Sequence, residues 1–160
     1  AVTAPSPNSY RRILPHCWSG AFRCWGVDNR EAAVRVPSNP EGHGPTNFEL
    51  KTVDATSNPY LALGAVIAAG LDGVQRGLAL ADPVDSDPGH IAEADRAAKG
   101  IARLPGQLRE AIDNLEHDEV LLKALGPGLA RAFRAVRRSE AAAFDGLELA
   151  DEVKLLLRRY

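Results

Sequence analysis

Four arginines lie close together near the start of the sequence, in stretches typical of short strands: Arg12, Arg23, Arg30 and Arg35. A glutamate and a lysine follow at Glu49 and Lys51. Guanidinium groups on neighbouring strands can hold a phosphate or carboxylate substrate, because each offers a planar fork of donors. A carboxylate among them can hold Mg²⁺ or Mn²⁺ against that phosphate. A surface network of salt bridges would give the same pattern, and spacing alone does not choose between the two.

The glutamate and the lysine must be positioned by a strand. Phe48 and Leu50 alternate with Glu49 and Lys51, so the two charged side chains are predicted to leave one face of that strand. An acid and a base on one strand face could form one wall of a binding site.

A long helix is predicted directly after this strand. Asn58 fits a helix cap, and Pro59 fits the first helical position. From Tyr60 to Leu71 the residues are almost all apolar or small, which is typical of a helix packed on most of its circumference. Asp72-Gly73 is the predicted end. We therefore expect a buried helix that braces the strand.

The rest of the first part, residues 1–57, predicts strands and loops. Three apolar pieces interrupted by arginines, at residues 10–15, 21–27 and 31–36, are expected to be short strands joined by turns. A loop is expected at residues 37–45, which are rich in proline and glycine.

The second part, residues 58–160, predicts helices. Leu108, Ile112 and Leu115 recur at helical spacing, and a helix ending at Gly126 is followed by another beginning at Pro127. A last apolar stripe runs from Val153 to Tyr160. Together the two parts predict an α+β fold, with strands in the first half and helices in the second.

Composition limits the classes of function. The net charge of −2 and pI near 6.1 offer no electrostatic footprint for nucleic acid or anionic lipid. The longest apolar run is too short to cross a bilayer. Two cysteines make a reduced, cytoplasmic protein the default. We expect no nucleic-acid partner and no membrane.

Four residues could be imagined as a zinc site: Cys17, Cys24, His16 and His43. Structural zinc sites usually pair ligands two to four residues apart, as in CxxC, and that pairing is missing. We therefore favour ordinary cysteines. The remaining histidines, His90 and His117, are expected to be exposed and without a role.

Three segments resemble the C-terminal part of glutamine synthetase in sequence, order and spacing. They are NSYRRILP (residues 8–15), NREAAVRVP (residues 29–37) and NFELKTVDATSNPYLALGAVIAAGLDG (residues 47–73). The resemblance extends over nearly all of the chain, which corresponds to about the last third of a family member. It implies part of the family's catalytic domain, whose curved antiparallel sheet carries the active site.

The resemblance also implies an activity and roles for residues. Glutamine synthetases use ATP to make γ-glutamyl phosphate from glutamate, and ammonia then displaces the phosphate. By motif, Arg12 resembles the arginine that holds glutamate, and Arg30 the arginine between glutamate and the ATP phosphates. Arg35 resembles the next ATP-contacting arginine, Glu49 a ligand of Mg²⁺ or Mn²⁺, and Lys51 an arginine that contacts the substrate carboxylate. No residue of this chain is assigned as a catalytic acid or base.

The sequence departs from the family's pattern at three positions. Trp18 stands where the family has a glutamate that helps deprotonate ammonium. Lys51 replaces an arginine fork by a point charge, and Gly44 stands where a lysine is expected. These traits resemble the FluG-type and nodulin-type members, and the resemblance leaves two alternatives for the acceptor, ammonia or another amine.

Other parts of the family's active site precede the region that this sequence matches. They include the other metal ligands and an N-terminal β-grasp-like domain, which completes the site of a neighbouring subunit in a homo-oligomer. We therefore expect the chain alone to be inactive without an upstream segment or a partner subunit. A non-catalytic remnant that serves as a binding or assembly module is the alternative, and an unrelated helical interaction domain is a third hypothesis.

Overall fold

The computed structural model describes residues 1–157. In chain order their elements are a 3₁₀ helix Pro7–Arg11, β1 Phe22–Val27, β2 Ala32–Val36, β3 Glu49–Leu50, α1 Pro59–Gln75, a 3₁₀ helix Pro88–His90, α2 Glu93–Ala98, β4 Ala102–Arg103, α3 Leu108–Glu116, α4 Glu119–Ala143 and α5 Leu149–Leu156. The α+β class expected from the sequence is confirmed.

These elements form two compact units. The helical unit comprises Ala1–Tyr10, Asp54–Leu78 and the chain from Pro105 onward. The sheet unit comprises Arg11–Val53 and Ala79–Leu104.

In the helical unit, α1 and α3 both pack against α4. The apolar face predicted for α3 is confirmed, because Leu108, Ile112 and Leu115 are all buried. The long helix α4 contains the predicted break, since Gly126 has a left-handed backbone (φ 73°, ψ 159°) and Pro127 follows it. The apolar stripe predicted near the C-terminus includes Tyr160, which lies outside the described residues.

Helix α1 begins where the sequence predicts, but it is less buried than the sequence predicts. The Asn58 side chain accepts hydrogen bonds from the backbone N–H groups of Tyr60 and Leu61, and Pro59 takes the first helical position. The helix continues to Gln75, two residues beyond the predicted end. The expectation of a helix buried on most of its circumference is wrong within the described chain, because Ala62 is its only fully buried residue. The exposed apolar residues follow one helical stripe: Tyr60, Leu63, Ile67, Leu71 and Val74.

The sheet has the strand order β3-β2-β1-β4. Pairings β2–β3 and β1–β4 are antiparallel as expected, whereas β1 and β2 pair in parallel, which corrects the prediction of antiparallel strands throughout. The strand predicted at residues 10–15 is also wrong, because this segment ends a 3₁₀ helix and enters turns. Strand β4 falls in the part predicted to be helical. With only two residues, it has no periodicity that a sequence pattern could reveal.

The connection between β1 and β2 holds the acidic segment 79–87 against the sheet. The buried Asn29 donates from its side chain to the carbonyls of Val84 (2.6 Å) and Ser86 (3.0 Å). The Val84 N–H in turn donates to the Trp25 carbonyl at 2.8 Å. A Cβ atom at Gly26 would lie 2.2 Å from the Val84 oxygen, so glycine is required for this approach. These contacts place Asp87 within the sheet unit.

Among residues 1–157, no helix is both long enough and apolar enough to cross a membrane.

Stability of the helical unit is expected to depend on Ile112, whose side chain is completely buried. We predict that Ile112→Ala lowers the free energy of unfolding by about 2–5 kcal/mol, because it removes buried apolar surface and leaves a cavity. Val136→Ala on the exposed side of α4 is the matched control and should change it by less than about 0.5 kcal/mol. Urea denaturation followed by circular dichroism measures both, and equal effects would contradict this account of the core.

Candidate functional site

An ion pair joins two of the predicted site residues across neighbouring strands. Arg35 on β2 and Glu49 on β3 are register partners, and the Arg35 Nη2 atom donates to Glu49 Oε1 at 2.6 Å. Both side chains are partly exposed. Directly opposed residues on paired strands present their side chains on the same face, so this face offers an arginine beside a carboxylate.

Hydrogen bonds to backbone carbonyls place Lys51 and Arg12 beside the Arg35–Glu49 pair. The Lys51 N–H donates to the Ala33 carbonyl at 2.9 Å, which extends the β2–β3 pairing by one residue beyond the end of β3. The Arg12 guanidinium spans the following residues, donating to the carbonyls of Lys51 (3.1 Å) and Val53 (3.3 Å). The structure therefore brings together Arg12, Arg35, Glu49 and Lys51.

The other predicted positions lie in different settings. Arg30 is exposed in the turn that leads into β2, two residues before the strand begins. Arg23 is exposed on β1 and pairs with Ala102 of β4. Gly44 lies in the exposed loop before β3, with a left-handed backbone (φ 81°). Arg30 is thus connected to the Arg35–Glu49 pair only through the backbone of β2, since no side-chain hydrogen bond within residues 1–157 links it to that pair.

The turn at residues 15–19 presents Trp18 to solvent, with 66% of the residue exposed. Its backbone is left-handed (φ 53°), which is uncommon for a bulky residue. The Trp18 N–H donates to Glu31 Oε1 at 2.8 Å, and this hydrogen bond holds the turn. Glu31 itself is buried, and its Oε2 atom has no hydrogen-bond partner among the described residues. A buried carboxylate oxygen without a donor is unfavourable, so it favours a cationic or donor group nearby.

Glu49 does not belong to any cluster of three metal-binding side chains within residues 1–157. A Mg²⁺ or Mn²⁺ ion needs several oxygen ligands, and one Glu49 oxygen is already bonded to Arg35. The described residues therefore do not assemble a site for such an ion by themselves. The cysteines are not part of a cluster either: Cys17 is exposed, and burial raises the pKa of the Cys24 thiol.

One three-ligand cluster does occur in the described part of the chain, and sequence reasoning missed it. It consists of His16, Asp87 and His90, whose ligand atoms all lie within 4.8 Å of one another. Desolvation acts to raise the pKa of the Asp87 carboxyl, but the Gly89 N–H and His16 outweigh it and hold that pKa below its usual value. His16 and Asp87 are 71 positions apart in sequence, so no local spacing could have revealed the cluster.

The arrangement on β2 and β3 is suited to binding an anion. Arg35 contacts the single carboxylate of Glu49, and Arg12 and Lys51 lie beside this pair, so three cationic residues accompany one anionic residue. Fixed cations of this kind stabilise a phosphate or a substrate carboxylate. This geometry, on an α+β fold, is therefore suited to part of a site that binds an anion.

The glutamine synthetase catalytic domain family matches residues 1–155. The chain belongs to the glutamine synthetase family.

Individual members of the family are also similar to this chain in sequence. The chain is 45% identical over 150 residues to the γ-glutamylpolyamine synthetase of Streptomyces coelicolor, and 40% identical over 144 residues to the glutamine synthetase of Methanococcus maripaludis. These matches cover 92% and 90% of this chain and 32% of each relative. The chain thus spans about a third of the length of the curated relatives it matches.

Two solved structures share the fold. A crystal structure of a glutamine synthase homologue matches 92% of this chain with a TM-score of 0.72 and 38% identity, and covers 32% of that chain. A GmaS complex with ADP matches 98% of this chain with a TM-score of 0.76 and 31% identity, over 35% of that chain.

The Arg35–Glu49 pair is expected to contribute little to folding. Both side chains reach solvent, and ion pairs of this kind are worth about 0–1 kcal/mol. A double-mutant cycle with Arg35→Gln and Glu49→Gln, measured by urea denaturation, should give a coupling energy below about 1 kcal/mol. A coupling energy of several kcal/mol would indicate that the pair serves to stabilise the fold, and this would weaken its assignment to a binding site.

Proposed function

We propose that this chain is part of an ATP-dependent ligase that joins the γ-carboxyl group of glutamate to an amine. The observation that carries the proposal is the Arg35–Glu49 pair beside Lys51 and Arg12, within a chain of the glutamine synthetase family. Such a reaction forms a phosphorylated carboxylate, and the amine then displaces the phosphate. The negative charge on the transferring phosphoryl group needs fixed cations around it.

Each cation has a proposed task. Arg12 and Lys51 bind the carboxylates of glutamate. Arg30, exposed in the turn before β2, lies between glutamate and the ATP phosphates, and Arg35 contacts ATP. Glu49 supplies one ligand to a Mg²⁺ or Mn²⁺ ion, which would neutralise phosphate charge when bound. Because the described residues offer no further ligand beside Glu49, the remaining ligands must come from residues outside this set.

The proposal also requires a partner surface for the remainder of the catalytic domain or for a second subunit. The exposed stripe of α1, which includes Tyr60, Leu63 and Ile67, is the surface we assign to it. A helix this apolar normally packs against other protein. The curated relatives are about three times as long as this chain, so an additional segment is a physically reasonable occupant. We place such an oligomeric ligase in the cytoplasm, where ATP and glutamate are abundant.

Arg35 should be essential for turnover. In the full-length protein, Arg35→Ala is expected to lower glutamate-dependent ADP release by about 100-fold or more, because one fixed cation facing transition-state charge is lost. The matched control is Arg103→Ala on the exposed edge strand β4, which removes the same charge and should leave the rate unchanged. The 160-residue chain alone should be inactive and should gain activity when mixed with the preceding two thirds of the Streptomyces coelicolor relative.

Equal rates for the two arginine variants would contradict the proposal, as would full-length protein that releases no ADP. The second candidate is a non-catalytic binding module, which the replacements Trp18, Lys51 and Gly44 favour. Titration calorimetry separates it from a ligase, since a ligase must bind MgATP and Arg35→Ala must weaken that binding.

The acceptor is proposed to be an amine larger than ammonia. Trp18 stands where the family has an acid that deprotonates ammonium, so that chemistry is missing here. An exposed indole can instead hold an organic ammonium group by a cation–π contact. The neighbouring Glu31 adds negative charge beside it, since its buried Oε2 atom has no hydrogen-bond partner in the part of the chain that the structure describes. One relative, from Streptomyces coelicolor, is named a γ-glutamylpolyamine synthetase, which supports this choice.

Trp18 should therefore set the preference between acceptors. We expect the full-length protein to release ADP faster with putrescine or spermidine than with ammonium. Trp18→Gly, which suits the left-handed backbone, should raise the KM for the polyamine by about tenfold and leave that for ATP unchanged. Trp25→Phe is the matched aromatic control. An ammonium preference in the unaltered protein would overturn the assignment.

A further inference from the structure

We propose that His16, Asp87 and His90 form a binding site for a divalent transition-metal ion, best suited to Zn²⁺. The Asp87 Oδ2 atom lies 2.7 Å from His16 Nδ1 and 3.9 Å from His90 Nδ1. The two imidazole rings face each other with their centres 4.8 Å apart, at an interplanar angle of 31°. Three potential ligand atoms thus converge on one point at the surface of the sheet unit.

The donor set decides which ions fit. Two imidazole nitrogens and one carboxylate oxygen are ligands that Zn²⁺, Co²⁺, Ni²⁺ and Cu²⁺ favour. Mg²⁺ and Ca²⁺ prefer oxygen ligands, so this site differs in chemistry from the Mg²⁺ or Mn²⁺ site proposed for Glu49. With three protein ligands, a tetrahedral ion would keep one position for water.

The spacing of the ligand atoms is close to what a metal needs. Ligands about 2.0–2.2 Å from a tetrahedral ion lie about 3.4 Å from one another. The His16 and Asp87 atoms are 2.7 Å apart and must separate slightly. The largest separation is at most 4.8 Å, so His90 must move inward by roughly an ångström. Its side chain is 77% exposed and can rotate to do so.

The backbone holds the other two ligands in place. Asp87 caps the 3₁₀ helix, because its Oδ1 atom accepts from the Gly89 N–H at 2.7 Å, and this leaves Oδ2 turned to the histidines. The helix puts His90 three residues after Asp87, on the same side. The His16 ring packs on Gly89, where a Cβ atom would lie 2.7 Å from His16 Cε1. Only glycine allows this approach.

A simple ion pair explains only half of the cluster. His16 is within hydrogen-bond distance of Asp87 Oδ2, at 2.7 Å, whereas His90 Nδ1 lies 3.9 Å from the same oxygen and is too far away for a hydrogen bond. His16 also has a left-handed backbone (φ 61°), which costs free energy for any residue other than glycine. One divalent ion would bind both neutral imidazoles and the carboxylate together. It would fasten the turn that carries Trp18 to the helix Pro88–His90.

The test is Zn²⁺ titration calorimetry on full-length protein without an affinity tag, in excess MgCl₂ to occupy oxygen-ligand sites. Three variants each remove one ligand: His16→Asn, which tolerates the left-handed backbone, Asp87→Asn, which keeps the helix cap, and His90→Ala. Each should weaken the affinity for Zn²⁺ by about tenfold or more. His43→Ala and His117→Ala remove the other two histidines of the 160-residue sequence, and these variants should bind Zn²⁺ like the unaltered protein.

Two further readouts separate a built site from incidental binding. Co²⁺ should give the intense visible absorption of a tetrahedral complex, and the His16→Asn/His90→Ala variant should lack it. Zn²⁺ should change the tryptophan fluorescence, because Trp18 lies two residues from His16, and this change should vanish in the same variant. Equal affinity and spectra for the unaltered protein and the double variant would overturn the proposal. So would a loss of binding confined to the His43 or His117 variants.

Discussion

The candidate site depends on the register between β2 and β3. Strand β3 has only two residues, so its own ladder cannot determine that register. Arg12 binds the carbonyls of Lys51 and Val53, and Lys51 donates to the Ala33 carbonyl. A Cβ atom at Gly20 would lie 2.7 Å from the Ala33 Cα atom, so this close approach requires glycine. A slip of one residue would turn Glu49 to the opposite face and separate it from Arg35.

The register between β2 and β3 places more positively charged than negatively charged residues in one region. Arg35 pairs with the single carboxylate of Glu49, and Arg12 and Lys51 lie beside this pair, in a chain whose net charge is −2. Such a grouping is not needed for folding, because the Arg35–Glu49 pair is partly exposed and such pairs stabilise weakly. Placing several cations together has an electrostatic cost that a bound anion relieves. The arrangement therefore makes physical sense as one wall of a site for phosphate or carboxylate.

Local patterns were predicted well and long-range pairings were not. The cap at Asn58, the face of α3 and the break at Gly126 follow from neighbouring residues, and the structure has all three. The parallel pairing of β1 with β2 could not be predicted, because a local pattern shows where a strand lies and not the direction in which it pairs. The apolar sequence of α1 indicates that the helix prefers contact with protein, but it does not name the partner. This is why its predicted burial differs from the exposure found within residues 1–157.

In the turns before and after β1, each strained backbone position is accompanied by a hydrogen bond to a carboxylate. Within the described chain, three residues other than glycine have left-handed backbones, and they are His16, Trp18 and Asp28. Each such residue costs about 1–3 kcal/mol, so each needs a compensating contact. The Asp87 carboxylate binds the His16 ring, Glu31 accepts from the Trp18 N–H, and Asp28 accepts from the Ser38 N–H. A carboxylate thus offsets the strain at every one of these positions. The turn bearing Trp18 is therefore held by Glu31 and Asp87, so its shape is sensitive to any cation that competes for those two groups.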